Sequence, residues 1–136
     1  MDKELRNEAS AWIARAEDDF AAARKLISGD DPLPATAAYH CQQAAEKALK
    51  AILAACDQTI PKTHDLRLLT ELVAERHRAF AQCMEAAEWL NPFATEFRYP
   101  TDAPDPGLAD ASKALAFAAQ ILAAVQSWLG DSQSDD

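Results

Sequence analysis

Glycine is scarce in this chain, and its scarcity excludes several kinds of catalytic site. The three glycines stand at positions 29, 107 and 130, so no glycine-rich phosphate-binding loop can form. A G-x-S-x-G nucleophile elbow, an H-E-x-x-H zinc motif and a calcium-binding loop are also missing from the sequence. The common signatures of P-loop, serine-hydrolase and zinc-protease chemistry are therefore absent.

Cysteine and histidine each occur three times, without the spacing of a metal site. Cys41, Cys56 and Cys83 are odd in number and form no C-x-x-C pair. We expect reduced thiols in a cytoplasmic protein, and neither a disulfide framework nor a zinc site. We expect no metal and no cofactor.

Basic residues are outnumbered, with 13 Lys and Arg against 22 Asp and Glu and a net charge of −9. Because nucleic-acid binding requires cations that neutralise phosphates, this balance argues against general affinity for DNA or RNA, although it leaves room for a local basic pocket. We expect no membrane-spanning segment, since no stretch reads as long and apolar enough for one. The charged start MDKELRNEAS is unlike a signal peptide.

Alanine is abundant, and it favours helix. The 136 residues include 31 alanines and are 49% apolar, while β-branched residues are few. Apolar residues recur at three- and four-residue steps, which predicts an all-α bundle of four to five helices. The predicted helices cover about 2–28, 35–56, a short stretch beginning near Thr63, about 78–90, and 108–129. Residues 1–130 form one domain in this interpretation, and the acidic tail 131–136 is expected to be disordered.

Tryptophans and the apolar last helix provide more apolar surface than one small core obviously needs. Trp12, Trp89 and Trp128 lie on three different predicted helices. We therefore predict that one side of the bundle is a homodimer interface.

The second predicted helix carries the most patterned polar segment. At helical spacing, Tyr39, Gln43, Glu46 and Lys50 form one stripe, and Gln42 lies between this stripe and the apolar face. Two interpretations are open. The stripe is either a solvated face with a Glu46–Lys50 ion pair, which we favour, or a polar groove beside a dimer axis. The Gln42 amide is expected to be partly buried and to need a partner.

Two further polar pairs are candidates for function. His64 and Asp65 begin the third helix, with Thr63 as its expected N-cap; capping and a surface histidine would explain them without any activity. Arg98 and Tyr99 precede Pro100 in a proline-rich loop before the last helix. Arg98 either anchors this loop or points into a cleft that binds phosphate or carboxylate.

Three segments together give the sequence a family resemblance. YHCQQAAEKALKAIL, THDLRLL and EFRYP, in this order, resemble the HEPN (higher eukaryote and prokaryote nucleotide-binding) domain family over about residues 12–128. The resemblance implies an up-and-down bundle of about five helices that commonly forms homodimers. It also implies a possible partner, because such proteins are often encoded beside a minimal nucleotidyltransferase, and some of these pairs are toxin–antitoxin systems.

The family resemblance also implies a test for ribonuclease activity. Many members are metal-independent RNases that use an Arg followed, after four to six residues, by a His. At the corresponding positions after Arg98 this chain has Ala103, Pro104 and Asp105, and no other arginine fits. The RNase motif is absent, which argues against an enzyme.

We therefore expect a non-catalytic, cytoplasmic HEPN homodimer that binds a nucleotide, a nucleotidyltransferase partner, or both. The expected ligand site contains Arg98 and Lys50 for phosphate, Tyr99 for stacking, and Gln42 or Gln43 for polar contacts, with Tyr39, Glu46, His64 and Asp65 nearby. Two alternatives remain: an RNase that uses an unorthodox pair such as His64 with Arg98, and a structural module whose acidic surface docks a basic partner.

Overall fold

Five α-helices and two short 3-10 helices make up the part of the chain that the structure, a computed structural model, describes. That part is residues 2–95, 100 and 104–134, with side chains described as far as residue 131. The α-helices are α1 (Lys3–Leu26), α2 (Pro34–Ala55), α3 (Leu66–Arg76), α4 (Met84–Leu90) and α5 (Leu108–Ser134). The 3-10 helices Arg78–Cys83 and Asn91–Ala94 flank α4. No strand occurs in these ranges, and the predicted all-α bundle is confirmed.

Helix α2 is the centre of the bundle. It contacts α1, α3, α4 and α5, and 16 of its 22 residues are buried. Pro34 is its first residue, a position where the missing N–H has no intrahelical partner to lose. Leu49 and Ile52 are among the largest fully buried side chains. A helix surrounded on so many sides buries its polar residues together with its apolar ones.

Small residues let α1 lie close to α2. Ala9, Ala16 and Ala23 are almost completely buried, and they recur every seven residues, which is about two helical turns. Phe20 is only partly buried and packs against the core. The side chain of Asp2 caps α1 by accepting a hydrogen bond from the backbone N–H of Glu4 at 2.7 Å.

The third and fourth predicted helices differ in detail from the structure. Asp65, and not Thr63, is the N-cap of α3, while Thr63 Oγ1 accepts a hydrogen bond from the Asp65 N–H. The fourth helix begins as a 3-10 helix and becomes α-helical only at Met84. Phe80 and Cys83 are both buried, and three-residue spacing places two side chains on one face of a 3-10 helix.

Helix α5 corrects two expectations. It continues to Ser134, beyond Gly130, so residues 131–134, which we assigned to a disordered tail, are helical. By length and composition, Leu108–Asp131 could also cross a bilayer, contrary to our expectation that no stretch could. The core helix of a bundle meets the same criterion, and α5 buries Ala118, Ile121 and Val125 against the rest of the fold.

The three tryptophans pack largely against other residues of the same chain. All three are partly buried against the core. The Trp89 ring lies 5.5 Å from that of Phe117, and the Trp128 ring lies 4.5 Å from that of His77. These contacts account for much of the aromatic surface that led us to predict a dimer interface. Homodimerisation remains a prediction.

Candidate functional site

Most of the polar stripe of α2 is buried, with only Tyr39 half-exposed, and the interpretation of it as a solvated face is wrong. Gln42 is fully buried, and Gln43, Glu46 and Lys50 are at most 9% exposed. The favoured interpretation assumed that α2 has a free side, whereas its neighbours cover it. The predicted Glu46–Lys50 ion pair does form, at 3.1 Å between Oε2 and Nζ, but inside the protein.

Two glutamine amides connect the stripe to the loop before α3. Gln42 Nε2 donates to the backbone carbonyl of His64 at 2.8 Å, so the partner that we expected for this amide is a backbone oxygen. Gln43 Nε2 donates to Gln42 Oε1 at 2.7 Å and lies 3.4 Å from Glu46 Oε1. Because buried amides need partners, the Gln42 bond holds the backbone at His64 against α2.

Glu46 is the shared partner of a lysine and a histidine. Its Oε2 pairs with Lys50, and its Oε1 lies 2.8 Å from Nδ1 of His64. The Lys50 ammonium also lies over the Trp12 ring, 5.7 Å from the ring centre. Only 8% of the Lys50 side chain is exposed. Its ammonium pairs with Glu46 and does not present a phosphate-binding cation at the surface. We call Gln42, Gln43, Glu46, Lys50 and His64 the His64 cluster.

His64 is the accessible member of the His64 cluster. Its side chain is 66% exposed, whereas that of Glu46 is 5% exposed. Because a carboxylate only accepts hydrogen bonds, Nδ1 carries the proton in the neutral ring, and Nε2 is left as an acceptor. A buried carboxylate thus orients an exposed imidazole, an arrangement that can bind an anion when the ring is protonated or accept a proton when it is neutral.

A small cavity lies beside His64, where α3 begins. Its lining is His64, Asp65, Asn91, Ala94 and Thr95, and its volume is about 220 Å³. Asp65 Oδ1 accepts hydrogen bonds from the N–H groups of two α3 residues and from Asn91 Nδ2 at 2.9 Å. The Asn91 amide, followed by the backbone hydrogen bonds, lowers the pKa of Asp65, because these bonds stabilise the carboxylate.

A second cluster, which we name the His40 cluster, joins α1 to α2 and was not foreseen. Asp19 Oδ1 lies 2.8 Å from His40 Nδ1, and Asp19 Oδ2 accepts from Lys47 Nζ at 2.6 Å. The ring of Tyr39 contacts that of His40 edge-on, with 5.4 Å between centres. Tyr39 therefore belongs with the His40 cluster, although its spacing placed it with Gln43 and Glu46. The seven-residue step from His40 to Lys47 is a signal that the sequence did contain.

Residues 9–128 match the model of the HEPN domain family. The chain belongs to this family. The matched range includes both clusters and the cavity, so these features lie within the HEPN domain itself. The resemblance carried by the three quoted segments is confirmed.

A solved structure agrees with the assignment. This HEPN chain is similar to TT1696 from Thermus thermophilus, known from a crystal structure, with a TM-score of 0.78 and 30% sequence identity. The alignment covers 89% of this chain and 98% of the TT1696 chain. A search of curated proteins finds no match.

The predicted site of this HEPN domain is assembled only in part by the described residues. Gln42, Gln43, Glu46, Lys50 and His64 come together in one hydrogen-bonded cluster, and Asp65 adjoins it at the cavity. Arg98 and Tyr99 lie outside the described residues. Sequence reasoning missed Trp12, Asn91 and Thr95. The available signal was for Asn91, a polar residue directly before Pro92 and between Leu90 and Phe93.

Thiol and metal chemistry find little support in the described part of this HEPN domain. Cys41, Cys56 and Cys83 are free, and burial raises the pKa of each, to about 12 for Cys41, which favours the unreactive thiol form. Cys56 Sγ lies 3.6 Å from His77 Nε2. Within the described ranges, no group of three or more His, Cys, Asp or Glu could hold a metal ion.

Proposed function

We propose that this HEPN domain binds a nucleotide or the nucleotide units of RNA at the His64 cluster, without cleaving them. The observation that carries the proposal is the hydrogen bond between Glu46 and His64, which holds an exposed imidazole at the mouth of the cavity. A ligand-binding side chain of this kind is useful because its orientation is set before the ligand arrives.

The charges of the site suggest how the phosphate is recognised. Glu46 and Lys50 neutralise each other inside the cluster, so neither is available to an incoming anion. His64 remains as a surface group that becomes cationic on protonation. Arg98 follows Thr95 of the cavity by three residues, and we propose that its guanidinium is the second phosphate contact, with Tyr99 stacking on the base.

Calorimetry with ATP, GTP and a short RNA tests this proposal. We expect binding by the wild-type protein, and at least about tenfold weaker binding after His64→Gln, which removes the imidazole that Glu46 orients, or after Arg98→Ala, which removes a charged hydrogen-bond donor. Arg24→Ala is the matched control, because Arg24 is exposed near the end of α1, away from the site. No heat with any of the three ligands would refute nucleotide binding and would leave the structural-module alternative.

RNA cleavage is a second candidate, which the same hydrogen bond favours. A carboxylate that fixes Nδ1 and leaves Nε2 free is also the arrangement of a general base that could activate a 2′-hydroxyl. In the presence of EDTA, such an enzyme would release 2′,3′-cyclic phosphate ends. His64→Ala would abolish the activity, whereas His40→Ala, which alters the other carboxylate-paired histidine, would not. Cleavage that survives His64→Ala would exclude this site.

We also propose that the protein is a homodimer and that a minimal nucleotidyltransferase is its partner, as the family membership suggests. Light scattering at micromolar concentration should give twice the chain mass, and a mass of one chain would contradict the dimer. Co-expression with a nucleotidyltransferase encoded beside the gene should give a complex that survives size-exclusion chromatography. Separate elution of the two proteins would count against this partner.

A further inference from the structure

The start of α3 differs from the usual phosphate-binding helix terminus. The first N–H groups of a helix attract phosphate when they are free. Here the Leu66 N–H donates to Asn91 Oδ1 at 2.8 Å, and the Arg67 and Leu68 N–H groups donate to Asp65 Oδ1 at 3.0 and 3.4 Å. These donors are therefore already used, and a carboxylate occupies the place that a phosphate would take. The Asp65 end of the cavity therefore favours a neutral ligand group over an anion.

The remaining hydrogen-bonding capacity of the cavity matches hydroxyl groups. All the hydrogen bonds that Asp65 accepts from the described residues are made by Oδ1, so Oδ2 can accept another. Asn91 Nδ2 uses one of its two hydrogens on Asp65 and can donate the other. Thr95 adds a hydroxyl, and Ala94 adds an apolar wall. The cavity thus offers one acceptor and one donor to a neighbouring pair of hydroxyls.

The size of the cavity limits what can enter it. Pockets that enclose whole small-molecule ligands have volumes of about 300–1,000 Å³. This cavity, at about 220 Å³, is smaller, so it holds part of a ligand. A sugar has the right size and chemistry, because a carboxylate that accepts from a ribose hydroxyl is a common recognition device in nucleotide-binding proteins.

We infer that the cavity beside His64 is a ribose subsite in which Asp65 Oδ2 accepts a hydrogen bond from the 2′-hydroxyl. The inference rests on the proposed function, since it assigns the sugar of the nucleotide to Asp65 and Asn91 and keeps the phosphate on the His64 side. It makes the site selective for ribose over 2′-deoxyribose. Free ribonucleotides and RNA strands share this sugar, and either would be recognised.

Matched ribose and deoxyribose ligands test the subsite. Calorimetry compares ATP with 2′-deoxy-ATP, and an RNA hexamer with the DNA hexamer of the same sequence. We expect the wild-type protein to prefer the ribose member of at least one pair by about tenfold, the usual effect of a hydrogen bond to a charged group. A preference within the triphosphate pair identifies a free nucleotide as the ligand, and one within the hexamer pair identifies a strand.

Asp65→Asn separates recognition from folding. Asparagine caps helices about as well as aspartate and keeps Oδ1, but it replaces Oδ2 by a donor. We expect this variant to remain folded, with a modest loss of stability because the hydrogen bonds to Oδ1 favour the carboxylate, and to bind ribose and deoxyribose ligands equally. Asp30→Asn, an exposed change elsewhere, controls for the altered net charge and should keep the preference.

Two results would overturn the ribose subsite, and they differ from failure of the proposed function. Equal affinity of the wild-type protein for ribose and deoxyribose ligands would refute the subsite while nucleotide binding stands. A preference that persists in Asp65→Asn would assign the selectivity to another residue. Absence of binding to all four ligands would instead refute nucleotide binding, and the subsite with it.

Discussion

Two clusters on α2 contain the same kinds of side chain but differ in which of them water can reach. In the His40 cluster, Asp19 bridges a histidine and a lysine, and in the His64 cluster Glu46 does the same, with 2.8 Å from carboxylate to Nδ1 in both. The His40 side chain is 29% exposed and Lys47 is 26% exposed. His64, in contrast, is 66% exposed above a supporting pair that is almost completely buried.

This difference separates a structural bridge from a candidate site. The His40 cluster links two helices through a buried carboxylate, Asp19, whose histidine and lysine partners are partly hydrated, so that each ion pair contributes modestly to stability. The His64 cluster buries a carboxylate and an ammonium, which is costly unless their pairing is complete, and it leaves only the imidazole accessible. Such a buried support has a clear use if the orientation of His64 matters for a ligand.

The largest predicted effect on the free energy of unfolding comes from removing the buried carboxylate of Glu46. Glu46→Ala leaves the Lys50 ammonium buried without a partner, so we expect the free energy of unfolding to fall by about 3–5 kcal/mol in urea titrations. Replacing both Glu46 and Lys50 by methionine removes both charges and should recover most of this loss. If Glu46→Ala lowers the free energy of unfolding by no more than Asp19→Ala does, the two clusters do not differ in how strongly the fold depends on their carboxylates.

A smaller loss is expected at the glutamine that ties the loop before α3 to α2. Gln42→Leu leaves the His64 carbonyl without its donor, which should lower the free energy of unfolding by about 1–3 kcal/mol. Gln120→Leu is the control, since Gln120 is exposed and makes a longer bond of 3.4 Å, and it should change stability by less than about 0.5 kcal/mol. Equal effects of the two changes would mean that burial of Gln42 contributes nothing.

Weakening the His40 cluster should have a modest effect on stability and none on ligand binding. Asp19→Asn keeps the shape of the side chain but removes its charge, and its partners are partly hydrated, so we expect a loss of about 1 kcal/mol at most. Calorimetry with the best ligand of the wild-type protein should give the same affinity. A large loss of affinity in Asp19→Asn would move the candidate site toward α1.

The smallest predicted effect concerns His77, the third histidine. It is a change in how the stability of the fold depends on pH. No carboxylate is paired with His77 among the described residues; burial, followed by the nearby Arg76, lowers its pKa below the ordinary value near 6.5. The unfolded chain therefore binds the proton more readily, and stability is lost as the pH falls from about 6.5 toward the lower folded-state pKa. His77→Gln should remove this part of the loss, measured as urea midpoints at pH 7.5 and pH 5. An unchanged difference between these midpoints would contradict the assignment.

The spacing of residues in the sequence predicts the contacts of this site that lie within one helix, but not those between helices. The Glu46–Lys50 pair was expected because it lies within one helix, where residues four apart are neighbours. The pairing of Glu46 with His64 spans 18 residues and a loop, and that of Asp65 with Asn91 spans 26. No local periodicity determines such contacts, since they depend on how separate helices return to each other.

Sequence alone is enough to predict that this protein is helical, roughly where its helices lie, and which family it belongs to, because alanine content, apolar spacing and three short segments are local properties of the chain. Tertiary packing, in contrast, is what buries Gln43, Glu46 and Lys50, brings Glu46 to His64, and makes Asp65 and Asn91 line one cavity. Burial is a property of neighbours, and a helix does not specify in its own residues how many others will surround it.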